Sequence, residues 1–163
     1  MKKRKLLYLA FTFIMLLFTV SSCTCENPLS GLSWGSAVLR GQVVGETDLN
    51  AKQVYDAGVE GVMIYTDVGN DYCYTATLAE VNNPDPAKQP KSTVEKTADG
   101  QPRPFEVGEF EMTIRFRVGS TAKSKKITVY ASAPYFPAIS SVSNVLLVDG
   151  QATIPQTIKI KWK

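Results

Sequence analysis

The stretch Glu109–Val118, EFEMTIRFRV, decides the fold. Phe110, Met112, Ile114, Phe116 and Val118 take every second position, with Glu109, Glu111, Thr113, Arg115 and Arg117 between them. A helix would scatter these apolar residues around its whole circumference. A strand places successive side chains on opposite faces, so a period of two makes one dry face and one wet face. The residues therefore predict a strand.

Working outward, the same alternation recurs at Ile127–Ala133 and Ile158–Lys163, and more weakly at Ala37–Val44, Val59–Thr66, Tyr72–Val81 and Val142–Val148. That predicts seven strands, with no helix after the first 22 residues. Alternating faces of this kind are buried by packing two sheets face to face, so the expected fold is an all-β, seven-stranded β-sandwich over residues 36–163. Asp67-Val68-Gly69-Asn70-Asp71 and Asp149-Gly150-Gln151 supply turn residues between strands. Asp67, Asn70 and Asp71 also offer the oxygen ligands that calcium prefers, but Asx residues are what turns ordinarily use, and no metal site is assigned. Residues 82–107 hold Pro84, Pro86, Pro90, Pro102 and Pro104. Proline removes ladder donors, so this segment reads as a long Pro-rich loop, with Thr93–Thr97 as a short edge strand inside it.

The N-terminal segment has a different character. Lys2, Lys3, Arg4 and Lys5 precede the apolar run Leu6–Val20, which is shorter than the roughly 20 residues a membrane-spanning helix needs. A basic block, a short apolar run and then small residues are the layout of a helical signal peptide over 1–22. Removing its four cations from the 18 basic residues leaves 14 against 15 acidic ones. The basic balance of the full chain therefore belongs to export, and no nucleic-acid partner is implied. Residues 24–100 are acid-rich and 101–163 base-rich, as expected of solvated strand faces.

Val20-Ser21-Ser22-Cys23 resembles the bacterial lipobox, an aliphatic residue and two small ones before cysteine. That resemblance implies cleavage before Cys23, diacylation of its thiol and a palmitate-bearing membrane anchor, with 23–35 as a flexible tether. Thr24 stands where an aspartate would imply inner-membrane retention. The expected address is therefore the outer membrane of a Gram-negative cell envelope. Cys25 and Cys73 remain in an oxidising compartment where a disulfide can persist; alternatively, Cys73 is a small packed residue within a strand.

Gly41-Gln42-Val43, Gly61-Val62-Met63-Ile64-Tyr65, Gly108-Glu109-Phe110-Glu111-Met112 and Ile127–Tyr135 together resemble the carboxypeptidase regulatory-like domain. The resemblance implies a transthyretin-like (Ig-like) sandwich used as an accessory, adhesive or structural module, and carries over no functional site. The chain has no histidine, which excludes Ser-His-Asp and Cys-His nucleophile systems and His-containing zinc sites. No Gly-rich phosphate loop occurs. The expectation is thus a noncatalytic module without cofactor, touching the membrane through lipid on Cys23 and an envelope protein or glycan through loops and aromatics. Tyr72, Tyr74, Tyr135 and Phe136 are the candidate binding residues, with Tyr130 alongside. A fimbrial-type fibre subunit processed at Arg40-Gly41 is the alternative, although Arg40 otherwise reads as a solvent-facing strand residue.

Overall fold

The computed structural model describes residues 32–47, 54–119, 122–134, 138–153 and 156–160. They form an all-β structure with one helical turn. In chain order the strands are β1 (Leu32–Thr47), β2 (Val54–Gly58), β3 (Met63–Thr66), β4 (Tyr72–Tyr74), β5 (Lys91–Lys96), β6 (Pro102–Pro104), β7 (Glu109–Gly119), β8 (Ser124–Ser132), β9 (Ser140–Val148) and β10 (Gln156–Ile160), with helix α1 (Leu78–Val81) after β4. No helix among the described residues is long and apolar enough to cross a membrane.

One four-stranded sheet is organised around β1. Its residues Leu32–Gln42 pair antiparallel with β7, and Val44–Thr47 continue along β2. Gly41–Gly45 pair with β10 in parallel. The second sheet runs β4-β3-β8-β9. Both sheets feed one hydrophobic cluster: Leu39, Val43, Phe110, Ile114, Phe116 and Ile158 from the first, and Ile64, Ile127, Val129, Val145 and Leu147 from the second. Each such side chain, once buried, contributes about 1.5–3 kcal/mol. The alternation read in Glu109–Val118 is realised throughout β7, whose apolar residues all face this cluster.

In β9, the pairing with β8 shifts register between Ile127 and Val129, and Asn144 adopts φ 62° opposite the shift. This bulge lets Val142 and Val145, three residues apart, both reach the core. At the other end of the fold three backbone segments meet. Val43 N donates to Gly108 O, and Val59 N donates to Val43 O. A Cβ on Gly108 would lie 2.6 Å from Val43 O, and one on Gly58 1.9 Å from Val107 O. Only glycine fits either position.

Ten strands are described where the alternation predicts seven. Two of the additional strands, β5 and β6, lie within 82–107. That segment is a paired two-stranded ribbon rather than an open loop. Tyr72–Val81 is also not one strand. β4 stops at Tyr74, and Thr77-Leu78-Ala79-Glu80 closes a capping box: Thr77 N donates to Glu80 Oε2 at 2.9 Å and Glu80 N to Thr77 Oγ1 at 3.2 Å. The expected tether is shortened as well, because β1 already begins at Leu32.

The ribbon covers the Arg40 half of the outer face of the first sheet and changes what the polar residues there do. Arg40 is 2% exposed, not solvent-facing. Its Nη2 lies 3.3 Å from Glu109 Oε1, Nη1 contacts Glu95 from the ribbon, Nε is 4.0 Å from Glu111 Oε2, and Phe105 packs over the guanidinium. Nε and Nη1 meet these carboxylates as ion pairs rather than as aligned hydrogen bonds. Arg103 joins Glu95 at 2.7 Å and Glu109 at 2.5 Å. Glu111 accepts from Ser92 Oγ at 2.7 Å and Thr93 N at 2.9 Å, and also from the Thr93 hydroxyl. Glu109 and Glu111 are thus clamps for the ribbon rather than ordinary solvated alternates. The Arg40-Gly41 bond lies in a doubly paired strand beneath this cover.

Replacing Arg40 by alanine leaves three carboxylates facing one remaining guanidinium. The expected loss is about 3 kcal/mol, at the low end for a broken buried pair because Glu95 keeps partial solvent contact. Urea denaturation measures it, and limited proteolysis should show cleavage moving into 82–107. Unchanged stability would refute the clamp.

Candidate binding face

The outer face of the second sheet is built from strands whose inner residues are fixed by the core. Ile64, Val129 and Ala131 point inward, so Met63, Tyr65, Tyr130 and Ser132 point outward. Register then aligns the tyrosines. Tyr65 pairs with Tyr72 on one side and with Tyr130 on the other, and Met63 pairs with Tyr74 and Ser132. The result is a row Tyr72–Tyr65–Tyr130 across three strands, with Tyr74 and Met63 in the next row.

The rings contact one another. Tyr65 and Tyr130 stack with centroids 5.1 Å apart and planes 16° from parallel. Tyr72 and Tyr74 meet edge to face at 5.8 Å and 85°. Tyr65 and Tyr130 are partly covered, whereas Tyr72 is 61% and Tyr74 59% exposed. Such a face offers broad, rigid, amphipathic contact area: tyrosine loses little conformational entropy on binding, and its hydroxyl hydrogen-bonds where the ring packs.

Of the residues singled out from sequence, Tyr72, Tyr74 and Tyr130 come together here. Tyr135 and Phe136 lie outside the described residues, as do Cys23 and Cys25. Tyr65 was missed. In sequence it is one more alternate of Val59–Thr66, and only the pairing register places it between Tyr72 and Tyr130. Asp67 is committed elsewhere: its Oδ1 accepts from Thr128 N at 3.0 Å and its N donates to Thr128 O at 3.2 Å. Gly69, at φ 78°, makes the turn that follows. Among the described residues no group of three or more His, Cys, Asp or Glu side chains is placed to hold a metal ion.

Cys73 sits between the two exposed tyrosines with its side chain turned inward against the core cluster. It carries a free thiol. No protein-family model, curated protein or solved structure matches the chain.

Burial pushes the Cys73 thiol from its ordinary value of 9.0 up to about 12. The thiolate is the reactive form, so Cys73 should resist alkylation in the native protein at pH 8 and react readily in denaturant, as mass spectrometry would show. Its folded pKa lies above the unfolded value. Its contribution to stability is therefore complete below about pH 9 and declines as pH rises toward 12. Rapid native alkylation at pH 8 would contradict this burial.

Proposed function

We propose that this chain is an envelope lipoprotein, cut before Cys23 and acylated there, whose all-β domain is a noncatalytic module that binds a protein or glycan. The outer membrane of a Gram-negative cell is its proposed location. Val20-Ser21-Ser22-Cys23, behind a basic block and an apolar run, supports the anchor. A transthyretin-like sandwich of the carboxypeptidase regulatory-like type is part of the same reading. It is supported by the ordered Gly-x-Val, Gly-Val-x-Ile and Gly-x-Phe motifs and by two sheets sharing one core.

The observation that carries the binding role is the tyrosine face. An isolated exposed aromatic is common on any surface. Four tyrosines aligned by register on one sheet face, two of them more than half exposed, make a continuous aromatic patch suited to packing against a sugar or an apolar peptide surface. Packing on such a patch needs no catalytic group. The absence of histidine from the chain fits a module that binds without reacting.

Two experiments test the two halves separately. Metabolic labelling with palmitate should mark the wild-type protein and not Cys23→Ala, and label on the variant would refute the anchor. Capture of envelope proteins and glycans on immobilised protein should weaken about tenfold in the Tyr72→Ala/Tyr74→Ala double variant, at roughly 0.5–1.5 kcal/mol per aromatic contact. Equal capture by a correctly folded double variant would remove the face from the proposal.

A further inference from the structure

The outer face of the β1–β7 pair has a second half that the ribbon leaves open. Along β1, Trp34, Ser36, Val38 and Arg40 share this face, because Gly35, Ala37 and Leu39 are buried on the other. Arg40 lies under the ribbon, whereas Trp34 is 67% exposed. Register places Arg117 beside Trp34 and Arg115 beside Ser36. The Arg117 guanidinium sits 5.1 Å from the centroid of the Trp34 ring. Trp34, Gly35, Ser36 and Arg115 line an open cleft of about 370 Å³.

The charge around this cleft is one-sided. Arg115 and Arg117 are exposed there, and the exposed Lys123 follows nearby in the structure, its carbonyl accepting from Asp149 N at 2.8 Å. Asp149 is an acid beside them, and its Oδ1 is engaged by Ser36 N at 2.8 Å. Leu32, exposed on the same face, extends the apolar surface.

We propose that this half-face is a membrane-contact surface that takes anionic phospholipid headgroups, an inference that rests on the lipid-anchor reading of Cys23. Leu32 is nine residue steps from Cys23, so even a fully extended connection spans about 30 Å at most. Tryptophan favours the boundary between hydrocarbon and water, and clustered arginine and lysine favour an anionic lipid surface. The cleft lacks a buried polar side chain to read sugar hydroxyls, since both Ser36 and Arg115 are exposed. An exposed indole flanked by an aliphatic residue and two arginines, with the proposed acyl chains within reach of the tether, matches a headgroup layer better than a soluble acidic glycan.

The test uses acylated protein with Trp162→Phe, so that Trp34 alone emits of the chain's two tryptophans. The protein is reconstituted on vesicles of phosphatidylcholine, with or without phosphatidylglycerol, each carrying a headgroup-spin-labelled lipid. Trp34 should be quenched strongly on anionic vesicles and weakly on neutral ones. Arg115→Gln/Arg117→Gln should lower the contact equilibrium on anionic vesicles about 30-fold, equivalent to about 1 kcal/mol per basic residue. Protein that floats with both vesicle types but shows equal, weak quenching overturns the contact face and leaves the anchor intact. Protein that fails to float with neutral vesicles overturns the anchor; selective quenching on anionic vesicles then still supports the face, and its absence overturns the face too. A response to a soluble polyuronate but not to vesicles assigns the cleft to an acidic glycan and overturns the membrane reading. If Trp162→Phe does not fold, the same comparison with both tryptophans present, using Trp34→Phe as the blank, gives the same outcomes.

Discussion

The register of β1 is the constraint on which the rest depends. This strand is paired along both edges, by β7 and then β2 on one side, and by the 151–153 segment and β10 on the other. Each of its side chains is therefore committed to one face. Leu39 and Val43 are committed to the core, and Arg40, between them, to the carboxylates of Glu95, Glu109 and Glu111. A slip of one residue would drive a guanidinium into hydrocarbon and expose a leucine. The core and the ion cluster hold the same register from opposite sides, and that register positions β7, the ribbon and the open half-face together.

Much of this was legible because burial in sheets writes a period of two into the sequence. Glu109–Val118 could be read directly, and so could the inward set of β8, whereas in β9 the bulge at Asn144 interrupts the period and puts Val142 and Val145 on the same side. What could not be read is whatever depends on the second layer. Glu111 and Arg115 are equivalent polar alternates in sequence, yet one is clamped beneath a ribbon and the other is open to solvent. Only one edge strand of the ribbon was expected, at Thr93–Thr97, because the five prolines of 82–107 argue against a central strand, which is true, while leaving a paired edge ribbon fully permitted. Trp34 sat within a stretch read as tether because Gly31, Gly35 and the serines around it resemble linker composition. Its local signal was the alternation of Gly35, Ala37 and Leu39, one strand turn earlier than the reading began. The Thr77-Leu78-Ala79-Glu80 spacing carries a capping-box signal, but the apolar residues of Tyr72–Val81 read as a strand.

The two outer faces are built on different principles. On the β4-β3-β8-β9 sheet, Tyr72 and Tyr74 stand more than half exposed among the described residues, and the alignment of the tyrosines comes from pairing register. Ring-on-ring contact between Tyr65 and Tyr130 fixes the centre, and the more exposed Tyr72 and Tyr74 extend it outward. On the β1–β7 face, charge decides what is covered. Where acids from β7 meet Arg40, the ribbon is recruited through Glu95, Arg103, Ser92 and Thr93. Where β7 instead carries Arg115 and Arg117, no acidic partner arrives from the ribbon and the face stays open.

That division gives the β1–β7 face a polarity along its length. Beneath the ribbon, Arg40 and Arg103 are matched by the carboxylates of Glu95, Glu109 and Glu111, whereas at the opposite end Arg115 and Arg117 are exposed. Trp34 and Arg40 are six residues apart, about 20 Å along an extended strand. A field of that sense turns the Trp34 end toward an anionic surface and the ribbon end away from it. With the proposed anchor on the N-terminal side of Leu32, the covalent tether and the charge gradient act in the same direction. The tyrosine rows lie on the other sheet, across the shared core from this face, so contact between bilayer and Trp34 leaves Tyr72 and Tyr74 open to a partner. The proposed membrane contact and the proposed binding face therefore share no surface residue, because they lie on different sheets.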